Sequence, residues 1–210
     1  MLSFINIIDY LNFYCAPCLL GKKPASLFSM PIETYRKSYK EAASLKVLGL
    51  SIHFLYELNK KALLLVFSEQ KTRDFLDKDD IRKAYTFFGY EDGFTFEELK
   101  TKLFDRFNEF ASTKFNSNNE QYKNIFPHEI GLFLGYPPED VLQYYFKKGK
   151  DYLFSGYWKV YTNPEKAIRT FKLYDACRVY CMKEARTDFY HLLRSILEHN
   201  IQKMMKKSLY

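Results

Sequence analysis

The sequence has no apolar run that approaches the length of about 20 residues required by a membrane-spanning helix. It also lacks the basic start and apolar core of a secretory signal peptide, since Asp9 interrupts the first apolar residues. These absences predict a protein without a membrane span. The four cysteines are then expected to be reduced thiols of a cytoplasmic protein.

Motifs that hold nucleotides or nucleic acids are also missing. The sequence contains no glycine-rich dinucleotide fingerprint and no phosphate-binding loop, so a cofactor held by those motifs is not expected. It shows no RNA-recognition, helix-turn-helix or zinc-finger signature, and its lysines are scattered, which argues against nucleic acid as a partner. The net charge of +7 still favours acidic partners.

The composition supports a sizeable core, because 47% of the 210 residues are hydrophobic and 19% are aromatic. Helical periodicity dominates, and we predict an α+β fold: a mostly helical single domain over residues 1–187 around a small antiparallel sheet. The sheet is predicted from 50–58, 62–67 and 157–161, of which the first two form a hairpin. One helix through 50–66 is the alternative, which the leucine content favours.

Helices are also predicted over 70–76, 78–88, 95–110 and 127–134, and the third of them begins with a capping box of Thr95 and Glu98. Another helix is predicted to begin at Pro138, where Asp140 is an acid at the positive end of the helix dipole. The segments 28–31 and 113–124 are predicted to be loops.

Residues 188–210 are predicted to form a C-terminal amphipathic helix. Its apolar side chains recur at helical spacing and form one stripe. Either this stripe packs on its own chain or it forms the interface of a homodimer. The stripe consists of Phe189, Leu192, Leu193, Ile196, Leu197, Ile201, Met204 and Met205.

The richest stretch for chemistry is 126–141, which combines a histidine, three carboxylates, two glycines and three prolines. Pro127 predicts that His128 lies in the first turn of a helix, where the positive end of the helix dipole favours a neutral imidazole. His128 is therefore a candidate base or ligand, and Glu129 a candidate group to orient it. The alternative is that both side chains cap the start of the helix.

Other candidates surround this pair. Gly131 and Gly135 permit the close approach of a backbone or a flat ligand, and Tyr136 adjoins them. Trp158 is the only tryptophan and is followed by Lys159, so a stacking ring would lie beside a cation. The core is an equally favoured place for this ring. The ligand-binding candidates are Lys23, Gly131, Gly135, Tyr136, Trp158, Lys159 and Tyr161.

The cysteines allow three interpretations. Cys15 lies before a loop with Lys23, which would favour a thiolate, so Cys15 is the candidate nucleophile and is expected to be more reactive than Cys177 or Cys181. Together with Cys18, the four thiols could instead bind zinc or an iron–sulfur cluster. Otherwise they are small buried hydrophobic residues. No metal ligand set or cofactor is assigned.

Three separated motifs resemble a known family. Cys15-Ala-Pro with Lys23–Phe28, then Phe126–Pro137 with Asp140-Val141, then Tyr157–Tyr161 are similar to the bacterial family known as domain of unknown function 3793. The resemblance covers about residues 10–181. It implies no activity; it implies a cytosolic protein whose gene context points to iron or redox metabolism, including flavodoxins. Cys18 departs from the threonine of the family pattern.

These observations predict one cleft in which Cys15, His128 and Trp158 meet. The expected function is a cytosolic small-molecule-binding protein, an enzyme with Cys15, His128 and Glu129 as catalytic residues. Lysines and aromatic rings suit a planar anionic ligand such as a tetrapyrrole or flavin. The first alternative is a non-catalytic adapter that docks an acidic redox protein such as a flavodoxin. The second is the four-cysteine zinc or iron–sulfur protein.

Overall fold

The computed structural model describes residues 4–116, 126–184 and 190–198. It confirms the α+β class: helices surround a three-stranded antiparallel sheet, and there is a separate two-stranded sheet. The strands are β1 Ala25–Pro31, β2 Leu50–Leu58, β3 Lys61–Ser68, β4 Phe154–Ser155 and β5 Lys159–Val160. The α-helices are α1 Ile7–Tyr14, α2 Ala16–Leu19, α3 Ile32–Ser38, α4 Glu69–Leu76, α5 Asp79–Phe87, α6 Phe96–Asn116, α7 Ile130–Phe133, α8 Pro138–Phe146 and α9 Pro164–Glu184; a 3₁₀ helix spans Tyr39–Leu48.

The predicted hairpin is present, with β2 and β3 joined by a two-residue turn at Asn59 and Lys60. Both turn residues have positive φ, 51° and 59°, as a hairpin turn that follows the right-handed strand twist requires. The register runs from Leu50 opposite Ser68 to Leu58 opposite Lys61. The alternative of one helix through 50–66 is therefore wrong, because cross-strand pairing outweighs the helix propensity of leucine.

The third strand of this sheet is β1, not the predicted 157–161. The strand order is β1-β3-β2, and β1 runs antiparallel to β3 from Ala25 opposite Phe67 to Pro31 opposite Lys61. Pro31 suggested a loop, but a proline is tolerated at the end of an edge strand, where no ladder hydrogen bond is lost. In the region 157–161, only Lys159–Val160 form a strand, which pairs with β4.

The central strand β3 separates two hydrophobic cores. Its side chains alternate between the faces: Leu64 and Val66 belong to the first core, whereas Leu65 and Phe67 belong to the second. A strand buried on both faces has a continuous apolar sequence, as β3 does. The first core includes α1, α2 and part of α9; the second includes α5, α6 and α7.

The helices after the hairpin follow the predicted order, and their boundaries differ in part. At the start of α6, Thr95 and Glu98 exchange hydrogen bonds as predicted for a capping box. Helix α6 continues to Asn116, although 113–124 was predicted to be a loop; residues 117–125 lie outside the described ranges. Helix α7 covers Ile130–Phe133 and is shorter than the predicted helix at 127–134.

Part of the predicted C-terminal helix is described and is helical at 190–198. Leu192, Leu193 and Ile196 of its stripe are buried in the first core, where they adjoin Cys177 and Cys181. The positions 189, 201, 204 and 205 of the stripe lie outside the described residues, so the homodimer remains a prediction. No helix in the described ranges has the length and apolar character needed to cross a membrane.

Candidate functional site

A cavity of about 340 Å³ lies between α7, α8 and the β4–β5 hairpin. We call it the aromatic cavity. Its wall brings together side chains that are up to 33 positions apart, from Phe126 to Lys159, and the packing of α7 against α8 and of β5 against α8 joins them. The predicted residues that line it are His128, Gly131, Tyr136, Trp158 and Lys159; other lining residues include Phe126, Val141 and Tyr144.

Ring contacts build the walls of this cavity. The centroids of Tyr136 and Trp158 lie 5.1 Å apart, and the Trp158 ring meets Phe171 edge-on at 4.5 Å. On the opposite side, the His128 ring lies 5.3 Å from that of Tyr144. These separations fall within the range at which aromatic pairs attract each other, so the walls are held by specific packing.

Asp140 fixes Trp158 in place. This carboxylate is 2% exposed and accepts a hydrogen bond of 2.7 Å from Trp158 Nε1. Its other oxygen accepts from the backbone N–H of Tyr161 at 3.0 Å, the backbone N–H of Thr162 at 2.8 Å and the Thr162 hydroxyl at 2.9 Å. Asp140 therefore joins the start of α8 to Trp158 and to the segment after β5, and it orients the indole ring.

His128 precedes α7 and lies in a half-buried environment of rings. Burial lowers its pKa below the ordinary value of 6.5, and the charge of Glu129 opposes that shift. A lowered pKa favours the neutral imidazole, and its main cause is burial. Among the described residues, no group forms a hydrogen bond with the His128 side chain, so its ring nitrogens are available to a ligand.

Lys159 supplies positive charge to the same cavity. Its ammonium donates a hydrogen bond of 2.7 Å to the carbonyl of Gly149 and lies 4.7 Å from the ring centroid of Tyr152. A lysine ammonium has three N–H donors, so donors remain after the carbonyl contact. Lys159 is thus held at the cavity wall and can still contact an anion.

The two predicted glycines are explained by contacts within the chain. A Cβ atom on Gly131 would lie 2.8 Å from Val141, so the glycine permits α7 to approach α8. Gly135 has φ +81°, and a Cβ atom there would lie 2.7 Å from Pro24. Both glycines therefore permit a close approach, as predicted, but the groups that approach them are side chains of the protein rather than a ligand.

Glu129 points away from His128. Its carboxylate is 2% exposed, forms an ion pair with Arg106, and accepts a hydrogen bond of 3.4 Å from the Tyr90 hydroxyl. It does not cap α7 through its side chain. Glu129 therefore joins α6 to the start of α7 and, in this structure, does not orient the imidazole.

Cys15 does not line the aromatic cavity, which corrects the expectation that it meets His128 and Trp158. Its side chain is fully buried in the first core, and burial raises the pKa of its thiol well above the ordinary value of 9.0. Cys15 ends α1 and precedes α2, so it is a packed thiol rather than an exposed thiolate. Tyr161 also lies outside the cavity wall and contributes its backbone N–H to Asp140.

Lys23 is buried behind Tyr136 instead of projecting from a loop. Its ammonium lies 4.9 Å from the centroid of the Tyr136 ring and 6.0 Å from that of Tyr174. Burial lowers the pKa of Lys23 to about 8. Lys23 therefore contacts the outer face of a cavity-wall residue, and the ligand contact predicted for it is not made through the aromatic cavity.

The four cysteines are all buried in the first core with free thiols. In the described part of the chain, no group of three or more histidine, cysteine, aspartate or glutamate side chains is arranged to hold a metal ion. The geometry thus gives no support to the four-cysteine zinc or iron–sulfur alternative.

Sequence reasoning overlooked Asp140 and Tyr144 as parts of the site. Asp140 was treated as an acid at a helix start, where its charge suits the dipole. Its distance of 18 positions from Trp158 gave no signal of their hydrogen bond. Tyr144 lies four positions after Asp140, so helical spacing could have placed both on one face of α8.

A second, more polar cavity of about 560 Å³ lies beside the first. It shares Tyr136, Asp140 and Trp158 with the aromatic cavity, so these side chains form the partition between the two. The remainder of its wall comes from α4, α5, α8, the first part of α9 and the segments that precede α5, α8 and α9.

A family model described as "Protein of unknown function (DUF3793)" matches residues 11–193. The matched range contains every side chain that lines the aromatic cavity. No curated protein and no solved structure matches the chain. Because the family model spans most of the sequence, the chain belongs to the DUF3793 family.

Proposed function

We propose that this protein binds a small, planar, anionic molecule in the aromatic cavity. The observation that carries the proposal is the position of the His128 imidazole, which lines the same aromatic cavity as Lys159 and has no hydrogen-bond partner among the described residues. A concave, largely apolar site with a few convergent polar groups is the usual form of a small-molecule site.

The size of the cavity favours a ligand of two or three fused rings. Its 340 Å³ lies near the lower end of the range of about 300–1,000 Å³ that is typical of ligand pockets. A flavin ring system suits this volume better than a tetrapyrrole macrocycle. The rings of Trp158 and Tyr144 would contact the faces of such a ligand.

The polar groups favour a negative charge on that ligand. Lys159 would pair with the anion, and His128 would accept or donate one hydrogen bond according to its tautomer. Cys15 has no part in this proposal, since its buried thiol does not line the cavity. The protein therefore acts as a binding protein without a covalent nucleophile in this cavity.

Fluorescence of Trp158 provides a direct test, because it is the only tryptophan of the chain. The probes are 2-naphthoate and its neutral counterpart 2-naphthamide, followed by flavin mononucleotide and protoporphyrin IX. We expect saturable quenching by 2-naphthoate and flavin mononucleotide, and binding of the amide about tenfold or more weaker, since a charged hydrogen bond contributes about 1.5–3 kcal/mol.

The matched variants are Lys159→Met, which removes the cavity charge, and Lys37→Met, which removes an exposed charge on α3. Lys159→Met should weaken 2-naphthoate about tenfold, whereas Lys37→Met should bind as the unaltered protein does. Equal affinity for the acid and the amide, or no saturable quenching by any probe, would contradict the proposal.

A second candidate function is docking of an acidic protein, for which an exposed aromatic patch provides the observation. Phe87, Tyr145 and Phe146 are 45%, 44% and 61% exposed, and their rings contact one another across α5 and α8. Lys83 lies one helical turn before Phe87, and Lys147 follows Phe146. An apolar patch with lysines at its rim suits an acidic partner.

Calorimetric titration with a purified flavodoxin at low salt tests this second candidate. We expect measurable binding that weakens as salt is raised, and its loss in Phe146→Ser, with Phe54→Ser as a matched exposed control on β2. Absence of binding at low salt, or equal binding by both variants, would eliminate the adapter.

A further inference from the structure

A basic groove of about 260 Å³ lies between the loop that follows α2 and helix α4. We call it the lysine groove. Its positive side chains are Lys22, Lys23, Lys71 and Lys78, and its acidic side chain is Asp74. Asp74 accepts a hydrogen bond of 2.8 Å from the Gln70 side chain, so part of the hydrogen-bonding capacity of its carboxylate is already used. The groove therefore carries an excess of positive charge.

The decisive feature of the lysine groove is that one of its lysines is buried. Lys23 is only 6% exposed, and no hydrogen bond or ion pair to its ammonium is present in the described ranges. Its neighbours are the Tyr136 and Tyr174 rings and the thiols of Cys15 and Cys18. A buried ammonium without a counter-ion opposes folding, so a bound anion would offset this cost.

Lys23 still carries a proton at neutral pH. Burial lowers its pKa to about 8, while the neighbouring thiols of Cys18 and Cys15 oppose that shift. The burial of Cys18 raises the pKa of its thiol to about 12, so this neighbour remains uncharged and cannot act as the counter-ion. Among the described residues of the groove, Asp74 is thus the one acidic side chain set against four lysines.

The loop that carries Lys22 and Lys23 is held in place by hydrogen bonds. The backbone N–H groups of both residues donate to the carbonyl of Pro17, at 2.7 and 3.2 Å. Lys71 of α4 donates to the carbonyl of Gly21 at 3.0 Å, and Gly21 adopts φ +64°. The lysines are therefore brought together by the backbone before any ligand binds, which reduces the entropy lost on binding.

We propose that the lysine groove binds a phosphate group, either as the free dianion or as a phosphomonoester. The buried, unpartnered Lys23 would contact the anion from below, and the exposed Lys22, Lys71 and Lys78 would surround it. Lysine binds phosphate as a point charge, and several lysines around one site suit a compact dianion better than a carboxylate monoanion. This site is separate from the aromatic cavity.

Thermal unfolding at constant ionic strength tests the proposal, with inorganic phosphate replacing chloride. The variants are Lys23→Met and Lys78→Met in the groove, and Lys37→Met as a control of equal charge elsewhere. We expect phosphate to raise the Tm of the unaltered protein and of Lys37→Met. Lys23→Met should lose that rise, and Lys78→Met should show a smaller rise.

Calorimetry then separates the two sources of the phosphate group. Inorganic phosphate and glycerol phosphate are titrated into the unaltered protein and into Lys23→Met. Binding of either compound that weakens about tenfold in Lys23→Met supports the site, and the tighter of the two identifies the source. The proposal would be overturned if the Tm in phosphate equalled the Tm in chloride. It would also be overturned if Lys23→Met kept the full rise in Tm.

Discussion

Two buried carboxylates and one buried ammonium differ in how the fold treats their charge. Asp140 and Glu129 are each 2% exposed, and both have partners: Asp140 accepts four hydrogen bonds, and Glu129 is paired with Arg106 and Tyr90. Lys23 is 6% exposed, and among the described residues its ammonium has no hydrogen bond or ion pair; aromatic rings and thiols lie near it.

This difference in partners indicates a structural role for the two carboxylates and a functional role for the ammonium. A buried charge with all its partners in the chain stabilises the arrangement of the segments it joins, as Asp140 does for α8 and the segment after β5. A buried charge without such partners lowers stability unless something outside the chain compensates it. Lys23 is therefore the better candidate for a ligand contact, although Asp140 is the closer neighbour of the aromatic cavity.

The largest expected effect is that of Asp140→Ala. The substitution leaves the N–H groups of Trp158, Tyr161 and Thr162 without their acceptor, so we expect a loss of about 3–5 kcal/mol in the free energy of unfolding. Urea unfolding measures this loss. Fluorescence of Trp158 should also shift, because its indole N–H is released to solvent.

The neighbouring Glu139→Ala is the control for Asp140→Ala, since Glu139 is exposed. It should change the free energy of unfolding by no more than about 0.5 kcal/mol. Equal stability of the two variants would remove the contrast between a partnered and an unpartnered buried charge.

A smaller effect of opposite sign is expected for Lys23→Met. The pKa of Lys23 falls from 10.5 to about 8 on folding, a difference that corresponds to about 3 kcal/mol against the folded state while the amine is charged. Loss of the contact with Tyr136 offsets part of this gain. In phosphate-free buffer at pH 7, Lys23→Met should therefore be more stable by about 1–3 kcal/mol in urea unfolding.

This advantage of Lys23→Met should depend on pH. The unfolded chain binds more protons than the folded chain between about pH 8 and 10.5, so the stability of the unaltered protein rises with pH relative to the variant. The difference should be full below pH 8 and should shrink above it. Lys22→Met, at an exposed position, should show no such trend; a constant difference for Lys23→Met would contradict the burial of its charge.

The smallest expected effect is a difference in the rate at which the four thiols are alkylated. Burial raises the pKa of all four; the pKa of Cys18 and Cys181 rises to about 12, and that of Cys15 rises well above 9.0. Cys177 has the least shifted thiol, so limiting iodoacetamide should label Cys177 before Cys15, the reverse of the order expected from the sequence. Peptide mapping measures the order, with urea-unfolded protein as the control in which all four react alike.

The sequence determined the secondary structure wherever a local pattern was strong. An alternating run at 50–58 and an apolar run at 62–67 predicted the β2–β3 hairpin, and Thr95 with Glu98 predicted the start of α6. It did not determine which segment pairs with β3 as the third strand, because β1 was recognised only as a proline-containing loop. Strand pairing joins distant residues, and no local pattern specifies the partner.

The sequence also identified His128, Trp158 and Lys159 as residues worth attention, and it established the family. Only the tertiary structure decided that these three line one cavity while Cys15 lies in the other core, since β3 divides the interior into two faces. The environment of Lys23 was likewise beyond the sequence. A lysine in a loop is ordinarily solvated, and its burial here follows from the close approach of Pro24 to Gly135 and from the Tyr136 ring that covers it.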